Sequence, residues 1–316
     1  MSGSYQAPWW LPGGHAQTLF STLRPAPRIA LRRERWDTPD GDFIDVDWAG
    51  PRDGARTLAV FHGLEGSSAS PYARSIAGAA AARDWRVAIV HFRGCSGEPN
   101  RLPRAYHSGD STEADWILRR LAAGTTLHAA GISLGGNVLL RWLGERGDEA
   151  VPLVHRAAAV SAPLDLAAAD RALSHGFPRL AYAEHFLRTL KRKSLAKLDR
   201  HPGLFDAARV RAARTLYEFD DAVTAPLHGY RDAADYYARA SSGPVLKHVR
   251  VPTLVLNARN DPFLPGEALE RATREASPHV LLEFPDTGGH VGFVSPRFPG
   301  RHGWLARRLL DFLSQP

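Results

Sequence analysis

A serine framed by glycines, Gly131-Ile132-Ser133-Leu134-Gly135, lies between the apolar run 127–130 and a helical pattern over 137–143. The spacing predicts strand, tight turn and helix, because a side chain at Gly131 or Gly135 would collide with the neighbouring strand and helix. Such a turn lifts the Ser133 hydroxyl to its apex. A hydroxyl is a weak nucleophile, so this chemistry also requires a base, a carboxylate that orients the base, and N–H donors for a developing oxyanion. The same stretch can be read as Gly131-x-Ser133-x-x-Gly136, a dinucleotide fingerprint with serine in the middle. That middle position needs glycine for approach of a pyrophosphate, and the fingerprint belongs near the start of its domain, whereas several strand patterns precede it here.

Two later loops carry the missing partners. Residues 253–257 read as a strand followed by Asn260-Asp261-Pro262, and residues 280–284 as a strand followed by Asp286-Thr287-Gly288-Gly289-His290. Sites in open α/β sheets form just beyond strand C-termini, and the order Ser133, Asp261, His290 is that of α/β-hydrolases. His290 is the candidate base and Asp261 the candidate orienting acid; Asp286 competes with Asp261 but shares the loop of His290. The oxyanion donors are expected at the N–H of Leu134, next after the nucleophile, and of Leu64, in the turn His62-Gly63-Leu64 after the strand 57–61. His62 reads as structural, and Cys95 as a buried, inert thiol.

The elements that must position these groups follow from periodicity. Glu34 to Trp48 reads as a hairpin around Asp40-Gly41, an antiparallel sheet edge. Strands at 57–61, 86–92, 127–130, 156–161, 253–257 and 280–284 alternate with helices at 72–83, 110–121, 137–143 and 267–276 and a last helix carrying Trp304, Leu309 and Phe312. That alternation implies an α/β fold with a mostly parallel central sheet and helices on both faces. Between the two halves, residues 163–243 carry helical patterns at 167–173, 179–197, 205–220 and 230–239 and no clear strand. A core of 1–162 and 244–316 with a helical cap insertion at 163–243 is the expected organisation. Residues 1–32 read as an irregular docking segment, since the prolines and glycines of 8–14 oppose a regular helix. The cap should roof the acyl pocket, with Phe186 and Leu187 as lining candidates and Trp9 beside them.

The chain has 316 residues, enough for one large domain with a sizeable core, and a net charge of +7 from 40 basic and 33 acidic residues. Basic residues so interspersed with acidic ones imply a solvated surface rather than nucleic-acid binding. A single cysteine excludes an internal disulfide framework and a thiolate zinc cluster, and there is no HExxH spacing. No cofactor or metal is expected. The N-terminus lacks the pattern of a secretory signal, and no stretch approaches about 18 apolar residues, which points to a cytoplasmic protein without an integral membrane segment. The indoles of Trp9 and Trp10 either pack on the domain or make a peripheral membrane contact.

Four stretches together resemble the YheT-type family of α/β-hydrolases: Pro8-Trp9-Trp10-Leu11-Pro12-Gly13-Gly14-His15-Ala16-Gln17-Thr18, Phe61-His62-Gly63-Leu64-Glu65-Gly66-Ser67, residues 100–109 around His107, and Gly131-Ile132-Ser133-Leu134-Gly135-Gly136-Asn137. The resemblance runs from about Tyr5 to the C-terminus. It implies a Ser-Asp-His carboxylic ester hydrolase akin to bacterial esterases and to eukaryotic enzymes acting on acylglycerols or phospholipids. It implies no role for His107 that the residues themselves explain. The expected activity is cleavage of small to medium acyl esters; lipase, thioesterase and acyltransferase chemistry would use the same site, and a catalytically silent binding protein is the contrasting class. The expected partner is a small-molecule ester, and the oligomeric state is not legible.

Overall fold

The computed structural model describes residues 5–25, 27–295, 298, 300 and 303–316. Residues 1–4 of the expected docking segment lie outside the described residues. Eight strands form one sheet: β1 (Arg32–Asp37), β2 (Phe43–Ala49), β3 (Arg56–Phe61), β4 (Arg86–Val90), β5 (Thr126–Ile132), β6 (Arg156–Val160), β7 (Thr253–Leu256) and β8 (Val280–Glu283). Their order is β1-β2-β4-β3-β5-β6-β7-β8. β1 and β2 pair antiparallel, as the hairpin pattern predicts, and β2 joins β4 antiparallel; every later pairing is parallel.

Among the described residues, the α-helices of six residues or more are α1 (Gly14–Leu23), α2 (Pro71–Ala81), α3 (Ser111–Ala122), α4 (Leu134–Arg146), α5 (Leu166–Leu173), α6 (Glu184–Arg200), α7 (Ala207–Ala212), α8 (Ala233–Ala240), α9 (Gly266–Thr273) and α10 (Gly303–Leu313). Successive residues of a strand point to opposite faces, and the core divides accordingly. Ala59, Phe61, Ala129 and Ala159 pack with Ile117 of α3 and Leu139 and Trp142 of α4. Leu58, Val60, Ala130 and Val160 pack with Ile76 of α2 and Leu309 and Phe312 of α10. Both faces are therefore covered, which is why the inner strands read as near-continuous apolar runs.

Three local expectations are corrected. Residues 1–32 are not irregular throughout: the prolines keep 8–12 out of helix, but α1 begins at Gly14. Its buried residues are Gln17, Thr18 and Ser21, so apolar periodicity could not reveal it. The single helix expected over 205–220 breaks after α7, because Thr215 leaves the helix and its hydroxyl caps the N–H of Glu218 at 3.1 Å. The helix expected from 179 opens as a wide turn, Arg179–Ala183, before α6. Among the described residues, 163–243 contains no strand.

The turn between β5 and α4 fixes the geometry on which the site depends. A Cβ at Gly131 would lie 2.3 Å from the carbonyl oxygen of Gly135, and one at Gly135 would lie 2.5 Å from that of Phe61. Both obstacles are backbone, which cannot rotate aside. Gly135→Ala should therefore cost on the order of 3 kcal/mol or more, measured as a lowered midpoint in urea unfolding; a midpoint equal to that of the parent would show that β3 and α4 can separate.

Candidate active site

Ser133 directly follows β5 with φ 53° and ψ −121°, a conformation that L residues rarely adopt. Its N–H donates to the Val160 carbonyl at 2.8 Å, and its own carbonyl accepts the N–H groups of Gly136 and Asn137. The backbone is thus held on both sides of the residue, leaving the side chain free to project. Among the described residues, five non-glycine residues have positive φ: Glu65, Asp84, Ser133, Ser161 and Val291. All but Asp84 lie in the loops that build this site, so backbone strain is concentrated where side chains must be aimed.

Three loops at the C-terminal edge of the sheet bring Ser133, Asp261 and His290 together. His290 Nε2 stands 2.9 Å from Ser133 Oγ, and His290 Nδ1 stands 2.8 Å from Asp261 Oδ2. A carboxylate only accepts, so Nδ1 carries the proton and the lone pair of Nε2 faces the serine hydroxyl. The Asp261 side chain has no exposed surface. Its second oxygen accepts the Phe263 N–H at 2.8 Å, and the Phe263 ring stacks on the imidazole at 4.1 Å. Asp286, the competing acid, is 94% exposed and faces Arg259 at 3.7 Å.

In the loop after β3, the amide N–H groups are assigned one by one. Gly63 donates to the Tyr72 hydroxyl at 2.8 Å, Glu65 to the Tyr106 hydroxyl at 2.9 Å and Gly66 to the Gly63 carbonyl at 2.9 Å. Leu64 N–H has no acceptor among the described residues, and neither has Leu134 N–H in the first turn of α4. Both residues line the same cavity as Ser133 and His290. His62 fixes the start of this loop: its Nδ1–H donates to the Gly63 carbonyl at 2.7 Å and its Nε2 accepts the Phe92 N–H at 3.1 Å. Burial pushes the imidazole down to about 3, keeping it neutral for both bonds. Burial likewise pushes the Cys95 thiol up to about 11, the reverse of what a nucleophilic thiolate requires.

The cavity has a volume of about 600 Å³, within the usual range for small-molecule sites. Phe186 and Leu190 of α6 line it, with Leu166, Phe219, Val223 and Phe263. Two lining candidates are corrected. Leu187 does not line it and is buried in a cluster with Val210, Ala213 and Ala222, because residues adjacent in a helix point about 100° apart. Trp9 is 91% exposed and has no part in the cavity. Basic residues also reach this wall, and three of them are engaged by partners. Lys193 pairs with Glu65 at 2.8 Å, Arg93 with Asp40, Asp42 and Glu113, and Lys197 donates to the carbonyls of Leu102, Pro103 and Arg104.

The segment around His107 acquires a structural account. Asn137, just after the nucleophile turn, donates to the carbonyls of Ser108 and Ala240 at 2.8 Å each and accepts the Ser242 N–H. One side chain therefore ties α4 to the cavity wall and to the end of α8. His107 packs against His228 with ring centroids 4.3 Å apart, and burial pushes both down to about 3. Sequence reasoning also missed Gln17, Thr18, Asn260 and Ser161, which bond the backbone around His290. Only the recurrence of Gln17 and Thr18 within a family-like motif signalled them.

Residues 56–296 match the family described as the alpha/beta hydrolase fold. YheT of Escherichia coli (strain K12), an esterase by name, is 39% identical over 309 residues, spanning 95% of this chain and 90% of its own. Phospholipase ABHD3 of Mus musculus is 30% identical over 329 residues, spanning 98% of this chain and 78% of its own. The solved structure of the Pyrococcus furiosus esterase Pf2001 covers 92% of this chain and 97% of its own with a TM-score of 0.58 at 15% identity, a likeness of fold. No helix among the described residues is long and apolar enough to cross a membrane.

One carboxyl in the cavity wall makes the stability of this region depend on pH. Burial pushes Asp220 from 3.8 up to about 7, against hydrogen bonds from Thr224 and Tyr237 and with Asp170 as a nearby like charge. The folded group holds its proton more tightly than the unfolded one, so its ionisation lowers stability progressively as pH rises from about 4 to about 7. Asp220→Asn removes that penalty. The thermal midpoint of the variant should exceed that of the parent at about pH 8 and match it near pH 4; an equal difference at both would show that ionisation is not involved.

Proposed function

The chain belongs to the alpha/beta hydrolase fold family, and from that premise we propose that it cleaves carboxylic esters of small to medium acyl chains through an acyl-enzyme on Ser133. The relay Asp261–His290–Ser133, opening into an apolar-lined cavity, is the observation that carries this reading. His290 Nε2 takes the hydroxyl proton as Ser133 Oγ attacks the ester carbonyl carbon. The carbonyl oxygen becomes negative and is met by the N–H groups of Leu64 and Leu134. The C–O bond to the alcohol then breaks, and His290 returns its proton to the departing oxygen. Water, deprotonated by the same imidazole, releases the acid and restores Ser133. Asp261 holds the tautomer and stabilises the imidazolium throughout. The apolar lining by Phe186, Leu190, Phe219 and Val223 favours an apolar acyl chain, and residues 163–243 act as the cap that roofs it.

Ser133→Ala should fold and lose turnover by on the order of 10⁴-fold or more, and a fluorophosphonate should label the parent at Ser133 alone. Labelling elsewhere, or turnover in the purified variant, would refute the assignment; a protein neither labelled nor active would be a silent binder. Asp261→Asn should lose on the order of 10³- to 10⁴-fold, because its amide donates to Nδ1 and forces the proton onto Nε2. Asp286→Asn should match the parent. Reversal of that order would move the acid to Asp286.

Chain-length preference should respond to Phe186 and not to Leu187. Each methylene that loses its apolar cover costs about 0.8 kcal/mol, roughly a fourfold factor in kcat/KM. Phe186→Ala should shift the ratio of kcat/KM between long and short p-nitrophenyl esters. Leu187→Ala should instead lower stability by about 2–5 kcal/mol and leave that ratio unchanged. A ratio insensitive to Phe186 would remove α6 from the acyl pocket.

A further inference from the structure

The loop that carries His290 makes few backbone bonds of its own. Residues 284–291 are neither helix nor strand, yet four successive N–H groups are each taken by a side chain from elsewhere. Gly288 donates to Gln17 Oε1 at 2.9 Å, Gly289 to Asn260 Oδ1 at 3.0 Å, His290 to Thr18 Oγ1 at 2.8 Å and Val291 to Ser161 Oγ at 3.0 Å. Two of the four acceptors come from α1, some 270 residues away along the chain.

Those two acceptors are themselves fixed. The Thr18 hydroxyl spends its proton on the Gly14 carbonyl at 2.7 Å, so what it offers His290 is a lone pair. Gln17 donates to the Leu11 carbonyl at 3.0 Å, and its oxygen also accepts from Asn260, the neighbour of Asp261. Gln17 is 1% and Thr18 3% exposed. The contact is close: a Cβ at Gly289 would stand 2.6 Å from the Gly14 carbonyl oxygen and 2.8 Å from Thr18 Oγ1. Next to His290, the β-branched Val291 is held at φ 57°, which persists only where the surroundings over-determine it.

We propose that α1 is the positioning element of the imidazole: Thr18 and Gln17 hold the His290 backbone so that Nε2 stays in line with Ser133 Oγ. The proposal rests on the role given to His290 above. Neither residue touches the reacting atoms; both act through the register of the loop. A displacement of about 1 Å at such a contact costs on the order of 100-fold in rate, so the effect belongs in kcat rather than in substrate binding.

The test compares Thr18→Val, Gln17→Leu, Thr18→Ser and Ser21→Ala with the parent on one p-nitrophenyl ester. Ser21 is the control, a buried residue of α1 whose hydroxyl bonds the Thr18 carbonyl and not the loop. Thr18→Val should lower kcat by roughly 10- to 100-fold with KM little changed, and slow fluorophosphonate labelling of Ser133 by the same factor. Gln17→Leu should act in the same direction. Thr18→Ser restores the acceptor and should recover most of the rate, while Ser21→Ala should lower the thermal midpoint at parental kcat. Parental kcat in Thr18→Val, or loss of rate in Ser21→Ala in step with its midpoint, would overturn the proposal while leaving Ser133 labelled. Failure of both Thr18→Val and Gln17→Leu to fold would make α1 structural only and overturn it as well. A parent that no fluorophosphonate labels would overturn the reading of the site itself.

Discussion

Asp261 is a carboxylate with no exposed side-chain surface and, among the described residues, no Lys or Arg in ion-pair contact with it. A charge so placed is tolerable only where hydrogen bonds replace the lost water, and the two that do so are the Phe263 N–H and His290 Nδ1–H. This one requirement organises much of the sheet's C-terminal edge. It sets the tautomer of His290, which turns the basic nitrogen towards Ser133, and it obliges the loop after β8 to approach the loop after β7. β7 and β8 are parallel neighbours, so the chain can meet that demand with two short strand exits.

The same edge is where the backbone departs from relaxed geometry. Ser133, Ser161, Val291 and Glu65 all adopt positive φ, and each is held by bonds that a relaxed loop would lack. Ser161 receives the Val291 N–H, and Glu65 is fixed through its N–H and its carboxylate by Tyr106. The fold supplies this rigidity from its two buried faces. Asn137 and the interlocked glycines transmit it to the nucleophile turn, and α1 transmits it to the histidine loop.

Legibility in the sequence followed the physics of each feature. Ser133, Asp261 and His290 were readable because each sits at a strand exit marked by Gly, Pro or Asn, and chain order fixes which exits are adjacent. The parallel sheet was readable because covered strands are apolar throughout. α1 was not, because its buried face is Gln17, Thr18 and Ser21 and carries no apolar period. Its acceptors serve backbone groups far off in the chain, a relation no local pattern encodes. Leu187 and Phe186 are equally apolar neighbours on α6, and only the rotation of the helix decides which one meets the cavity. Trp9 was expected beside the acyl pocket, whereas its ring is open to solvent.

Helix α6 and the loop after β3 are joined by a specific bond rather than by apolar contact alone. Lys193 of α6 reaches Glu65 at 2.8 Å, and the same carboxylate oxygen accepts the Tyr106 hydroxyl at 2.9 Å. Glu65 follows Leu64 directly, and its positive φ sets the direction in which the preceding peptide runs. A movement of α6 therefore pulls on the residue that directly follows Leu64 as well as on the Phe186 wall. Because Lys197, one turn further on, is fastened to three carbonyls of 102–104, α6 is pinned at two points along its cavity face. Leu190, between the Phe186 wall and these anchors, also lines the cavity, so the apolar lining and the anchored face belong to one helix. The shape of the cavity and the placement of the loop that carries Leu64 are in this way tied to the same element.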